Sequence, residues 1–137
     1  MSIKNLLAFR KRFKKRVVDN PEFHAERLIA RATLMVEGRI LDSIQRDAKT
    51  GRTYGKHQAS APGEAPATDG GELVRSIVMS VDDVDGEVVG TIRASADYAA
   101  ALEFGTSNMA ARPFMQPGLE SQRRKIEALF KKGGLIK

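Results

Sequence analysis

The 137 residues carry a formal charge of +6, divided very unevenly. Residues 1–18 hold seven basic side chains and no acid, residues 19–120 hold ten basic and sixteen acidic, and residues 121–137 hold six basic and one acidic. With 42% hydrophobic and 29% charged residues and no cysteine, the chain reads as one globular domain without a basic binding face, disulfides, thiolate metal centres or a cysteine nucleophile.

Leu6, Phe9, Phe13 and Val17 recur at helical steps among Arg10, Lys11, Arg12, Lys14, Lys15 and Arg16. They predict a basic amphipathic helix or arm over 1–19 that can lie on a partner, a membrane surface or the rest of this chain. A mitochondrial presequence is disfavoured, because the segment is Lys-rich and Ser2 is its lone hydroxyl. Asn20-Pro21-Glu22 is a helix start, with an N-cap residue, proline at N1 and an acid in the first turn. Leu28, Ile29, Ala32, Val36, Ile40 and Ile44 carry that helix to about Ala48.

From Lys49 to Gly71 the periodicity stops. Five glycines and two prolines occupy this stretch, with Tyr54 as its one large apolar side chain. It reads as an extended excursion within the domain, of the kind that is either functional or disordered, and not as a linker between domains. Asp69 and Glu72 have capping-box spacing before a short helical turn. The alternation through Ile77, Met79 and Val81, the Asp85-Gly86 turn and the run Val88–Ile92 predict a β-hairpin. Tyr98–Phe104 suits a short helix closed by Gly105 in a left-handed C′ position. Pro117 is placed to be N1 of a last helix carrying Leu119, Ile126, Leu129 and Phe130, which Gly133-Gly134 stops. The predicted fold is α+β: a long N-terminal helix, a small antiparallel sheet built on a hairpin and a C-terminal helix. One domain spans 20–132, with residues 133–137 as a tail.

Catalytic chemistry finds little support. Gly51–His57 mimics a phosphate loop but has three residues between its glycines where four are needed, and His57 stands where Ser or Thr would hold magnesium. His24 and His57 lack ligand spacing. Asp82, Asp83 and Asp85 sit at a hairpin tip, and the serines lack a nucleophile-elbow setting. The expectation is no enzyme, no cofactor and no metal. No apolar run exceeds five residues, so neither a membrane span nor a secretory core is predicted. Glu103 and Arg112 flank the Phe104-Gly105 turn and can pair by a forked bond, either inside the chain or across a subunit boundary.

Two segments are more distinctive: HQASAPGEAPATDGGELVRSI, residues 57–77, and YAAALEFGTSNMAARPFMQPGLE, residues 98–120. In this order, separated by a hairpin, they resemble the small head–tail joining or tail-completion (neck) proteins of long-tailed bacteriophages and prophages. The resemblance spans residues 20–132 and omits the basic extension. Gly70-Gly71 stands where Thr-Gly is expected, and Met115-Gln116-Pro117 where Leu-Arg-Pro is common. What it implies is a structural virion protein. Such a protein is a homo-oligomer forming a ring, expected to be sixfold, between the DNA-filled head and the tail. Its expected partners are other neck and tail proteins and transient duplex DNA in the channel, with no membrane. It would reside in the virion neck, and in the host cytoplasm during assembly.

In that setting Glu103, Phe104, Gly105, Arg112, Pro113 and Phe114 are candidate ring-interface residues. Tyr54, His57, Pro62 and Pro66 mark a docking loop that orders when the adjoining ring binds. The basic residues 10–16 grip an acidic partner while the acidic body faces the DNA. An accessory DNA-binding protein that uses Arg10, Lys11, Arg12, Lys14, Lys15 and Arg16 directly is the alternative.

Overall fold

The computed structural model describes residues 21–137; the basic arm, including Arg10 to Arg16, and Asn20 lie outside the described residues. Helix α1 (Pro21–Gln45) runs from the predicted proline start, with Glu22 in its first turn, and buries Ala32, Thr33, Val36, Ile40, Ser43 and Ile44. Ala32, Val36, Ile40 and Ile44 belong to the helical stripe read from the sequence, Thr33 and Ser43 join it, and Leu28 and Ile29 are half-buried. No basic residue occupies its last turn. Instead its end is closed from the following segment, where the Lys49 ammonium donates to the Ser43 carbonyl at 2.6 Å and the Thr68 hydroxyl to that of Ile44 at 3.3 Å.

The excursion is not structureless. Strands β1 (Thr53–Tyr54) and β2 (His57–Gln58) pair antiparallel around Gly55, whose φ is 60°. Behind this small hairpin the Glu64 carboxylate accepts the Thr50 hydroxyl and the backbone N–H groups of Thr50 and Ala61. Those bonds, the Thr50 hydroxyl foremost, hold its carboxyl down to about 2. These bonds close the segment within its own chain.

Helix α2 (Glu72–Ser76) follows, and here the predicted capping box does not form. Gly70 and Gly71 both have left-handed φ, 67° and 75°, and Gly71 takes the N-cap position without a side-chain bond. Glu72 is therefore N1 and not N3, out of reach of the reciprocal bond with Asp69.

Strands β3 (Ile77–Val84) and β4 (Glu87–Ala94) form an antiparallel ladder from Ile77↔Ala94 to Val84↔Glu87. Asp85 and Gly86 have φ of 54° and 84°, the two positive values that a type I′ turn requires. The Asp83 carboxylate accepts the Gly86 N–H at 2.9 Å, so one acid of the hairpin tip is a turn residue. Ile77 is buried and Met79 and Val81 half-buried, while Val78, Ser80 and Asp82 face outward.

Helices α3 (Ala99–Phe104) and α4 (Met115–Lys132) complete the α+β fold. α1 packs against α4 and against the β3–β4 hairpin. The core consists of Val36, Ile40, Ile44, Leu73, Ile77, Ala99 and Phe114. Gly118 sets the distance between the helices, because a Cβ there would lie 2.4 Å from Ile40. At the far end the His24 Nε2–H donates to the Gly133 carbonyl at 2.7 Å, tying the start of α1 to the end of α4. α4 ends at the predicted glycine pair. Gly134, with φ 77°, takes the left-handed position and the Leu135 N–H reaches back to the Phe130 carbonyl at 2.9 Å.

Candidate assembly surface

The segment from Glu103 to Gln116 leaves α3, turns back on itself and enters α4. At the end of α3, Gly105 has φ 73° and ψ 176°. Its φ is positive as predicted, but its ψ lies far from the left-handed helical value, in a region that is essentially glycine-only. Close approach adds a second reason for glycine, since a Cβ would meet the Met109 carbonyl oxygen and the Ala111 nitrogen, each at 2.9 Å. Thr106 and Met109 form a bridge, with the Thr106 N–H donating to the Met109 carbonyl at 2.8 Å.

Glu103 does not pair with Arg112. Its carboxylate accepts the backbone N–H groups of Phe114, Met115 and Gln116 at 2.8, 3.0 and 3.0 Å. These are the donors that the start of a helix leaves unsatisfied. Pro117 follows and has no N–H, and the Gly118 N–H makes the bond back to the Phe114 carbonyl. One carboxylate, placed eleven residues upstream of its first partner, therefore finishes the N-terminus of α4. This is why the helix starts at Met115, two residues before the predicted N1 proline. The negative charge also sits at the positive end of the helix dipole.

Arg112 is used elsewhere. Its backbone N–H donates to the Leu102 carbonyl at 2.7 Å. Its guanidinium reaches the Ser60 and Ala110 carbonyls, at 3.4 Å each. The Gly63 N–H bonds the Ala111 carbonyl at 2.9 Å. The two distinctive sequence segments thus meet, and Arg112 joins them. Pro113 is half-buried. Phe114, 1% exposed, is a core residue and cannot be presented to a neighbour. Phe104 is the opposite: at 80% it is the most exposed large hydrophobic side chain among the described residues.

The predicted docking-loop residues divide in the same way. His57 and Pro66 line a cavity of about 570 Å³ with Leu73, Tyr98, Leu102 and Arg112. Pro66 is buried, whereas Pro62 is exposed. Tyr54 is 59% exposed, and the Arg52 guanidinium lies over its ring at 5.4 Å. Among the described residues no group of three or more His, Cys, Asp or Glu can hold a metal ion, and no helix is long and apolar enough to cross a membrane.

Sequence reading missed an apolar groove of about 400 Å³ formed by α1, β4 and α4. Its signal was present in Gly90 and Leu119. A Cβ on Gly90 would overlap the Thr33 hydroxyl, so strand and helix meet closely at that point. Leu119, on the apolar side of α4, is still 50% exposed. Comparison with known family models, curated proteins and solved structures gave no match.

Proposed function

We propose that the chain is a structural subunit of the phage neck, assembling head to tail into a ring, expected to be sixfold, that joins the head to the tail or completes the tail. The observation that carries the reading is Phe104. Glu103, Gly105, Arg112 and Phe114 are all consumed in fixing this loop, and between the first two Phe104, the last residue of α3, presents an aromatic ring 80% exposed. Exposed aromatics on rigid supports are typical anchors of protein interfaces. A protruding side chain that meets a different surface of the next copy makes a heterologous contact, the kind that closes rings. The open edges of the two-stranded β3–β4 sheet offer neighbouring copies further main-chain pairing. The phage setting itself rests on the resemblance of residues 57–77 and 98–120.

Sedimentation over a range of concentrations, followed by electron microscopy, tests this. Rings from the native chain, and monomers of normal stability from Phe104→Ser, are expected. A native chain that stays monomeric at all concentrations and shows steeply salt-dependent duplex binding, lost on deletion of residues 1–18, would favour the DNA-binding alternative.

A further inference from the structure

We propose that the tip of the β3–β4 hairpin of one copy docks in the cavity beside Arg112 of the next, an acidic knob in a cationic socket with apolar walls. The inference rests on the head-to-tail assembly proposed above and names the two surfaces that meet in it. The socket is the cavity of about 570 Å³ lined by Leu73, Tyr98, Leu102, Met109 and Arg112. Leu102 and Met109 stand on the two arms of the Phe104 turn, so the cavity adjoins that turn.

The charge of the socket is unmatched. Arg112 donates from Nε and Nη1 to two carbonyls, at 3.4 Å each, and from Nη2 to no group among the described residues. Glu103 is committed to the start of α4, and among the described residues no acid forms an ion pair with Arg112. Asp69 also lines the cavity, without such a pair. A second cation stands beside it: Arg75 Nη1 lies 3.0 Å from where a Cβ on Gly71, another lining residue, would be. It too has no ion pair among the described residues. Half-buried cations without a counter-charge favour an incoming carboxylate.

The hairpin tip has the matching chemistry. Residues 82–87 are all exposed and include Asp82, Asp83, Asp85 and Glu87. Among the described residues none of these four acids is in an ion pair. Asp82 accepts the Ser80 hydroxyl and Asp83 the Gly86 N–H, which leaves both carboxylates acceptor sites for a guanidinium. Between them and Asp85 stands Val84, 51% exposed, an apolar side chain for the apolar wall. Pockets of about 300–1,000 Å³ take whole small molecules, so one valine with a flanking carboxylate fits.

Distance forbids this contact within one chain. Leu73 of the cavity leads through α2 directly into Ile77, where the ladder begins. The tip is at the other end, and seven strand steps put Val84 about 23 Å from Ile77. Only a second copy can join knob to socket. Because the two surfaces differ, the contact is heterologous, as ring closure requires.

The chain has no native cysteine, so a disulfide reports the contact directly. Val84→Cys with Tyr98→Cys is oxidised in the full chain beside the control Val84→Cys with Leu34→Cys, whose second site is 55% exposed and outside the cavity. The expected result is a ladder of covalent dimers, trimers and larger species on a non-reducing gel, from the first pair and not from the control. A charge test needs no cysteine. Asp82→Lys with Glu87→Lys should keep the native melting temperature and raise the concentration needed for assembly by about tenfold, and adding Arg75→Glu should recover part of the loss. No ladder, equal ladders from both pairs, or assembly that ignores the charge change or its reversal would overturn the docking. Native rings seen by electron microscopy would then leave the ring reading standing without it. A native chain that stays monomeric at every concentration overturns both.

Discussion

The two long sides of the α1–α4 pair are finished in opposite ways. On one, the Glu103–Gln116 loop closes over the start of α4, fills its free N–H groups and buries Phe114. On the other, α4 and β4 stand apart and leave an apolar groove of about 400 Å³. The closed side is built from the long, unusual sequence string, and the open side from ordinary helical and strand periodicity. A distinctive string therefore records local architecture first: most of the residues from Glu103 to Gln116 are consumed in holding the loop, and Phe104 is the large hydrophobic side chain among them that is turned outward.

The sharpest way to break that contrast is to empty the closed side. Phe114→Ala removes a side chain 1% exposed and should cost about 3–5 kcal/mol, measured by denaturant unfolding. A loss below about 1 kcal/mol would show that the core does not depend on the loop. Gly105→Ala should cost about 1–3 kcal/mol, from the positive φ and the backbone atoms at 2.9 Å. Next, Glu103→Ala leaves three N–H groups without their carboxylate and should cost about 0.5–2 kcal/mol, with hydrogen exchange at Met115 and Gln116 accelerating before that of the helix centre. Protection unchanged at those amides would mean another group caps α4.

What was legible in the sequence divides along the same line. Helix periodicity through Ile44, the Asp85-Gly86 turn and the Gly133-Gly134 stop all rest on neighbours close in the chain, and the structure has them as read. Glu103 was misread because its partners lie eleven to thirteen residues away, and a carboxylate beside an arginine looks like an ion pair until the backbone path is known. Phe114 was placed at an interface because its neighbourhood is motif-rich. Burial is a property of the packed helices, which no spacing rule carries. Asp69 failed as a cap for a local reason, two successive left-handed glycines, yet their conformation follows from the loop that precedes them. Gly90 and Leu119 mark the groove only in hindsight, because it exists only once three elements separated in sequence have taken their places.

A smaller effect tests the excursion as part of the closed side. Glu64 has a carboxyl held down to about 2 in the folded chain, from an ordinary value of 4.5, by its bonds from Thr50 and Ala61. A depressed carboxyl contributes stability that is complete above the unfolded value and is lost as pH falls through the folded one. The loop should therefore loosen between about pH 4.5 and 2, and Glu64→Gln should remove that dependence. Carboxyl carbon shifts followed by NMR check this directly; a Glu64 titration near 4.5 would mean the Thr50 and Ala61 bonds are not held in solution.

The smallest expected effect on folding belongs to Phe104, and it separates architecture from assembly. Its ring is 80% exposed, so Phe104→Ser should alter stability by no more than about 0.5 kcal/mol. Its neighbours on both sides act differently: Glu103 caps a helix and Gly105 holds a strained turn, so changes there act through the fold. If the exposed ring is the anchor between copies, the serine variant keeps the native melting temperature and loses the larger species in sedimentation. Glu103→Ala, by contrast, lowers both together. A Phe104→Ser chain that still forms the native oligomer would leave the loop as pure architecture and move the search for the contact to the open edges of β3 and β4.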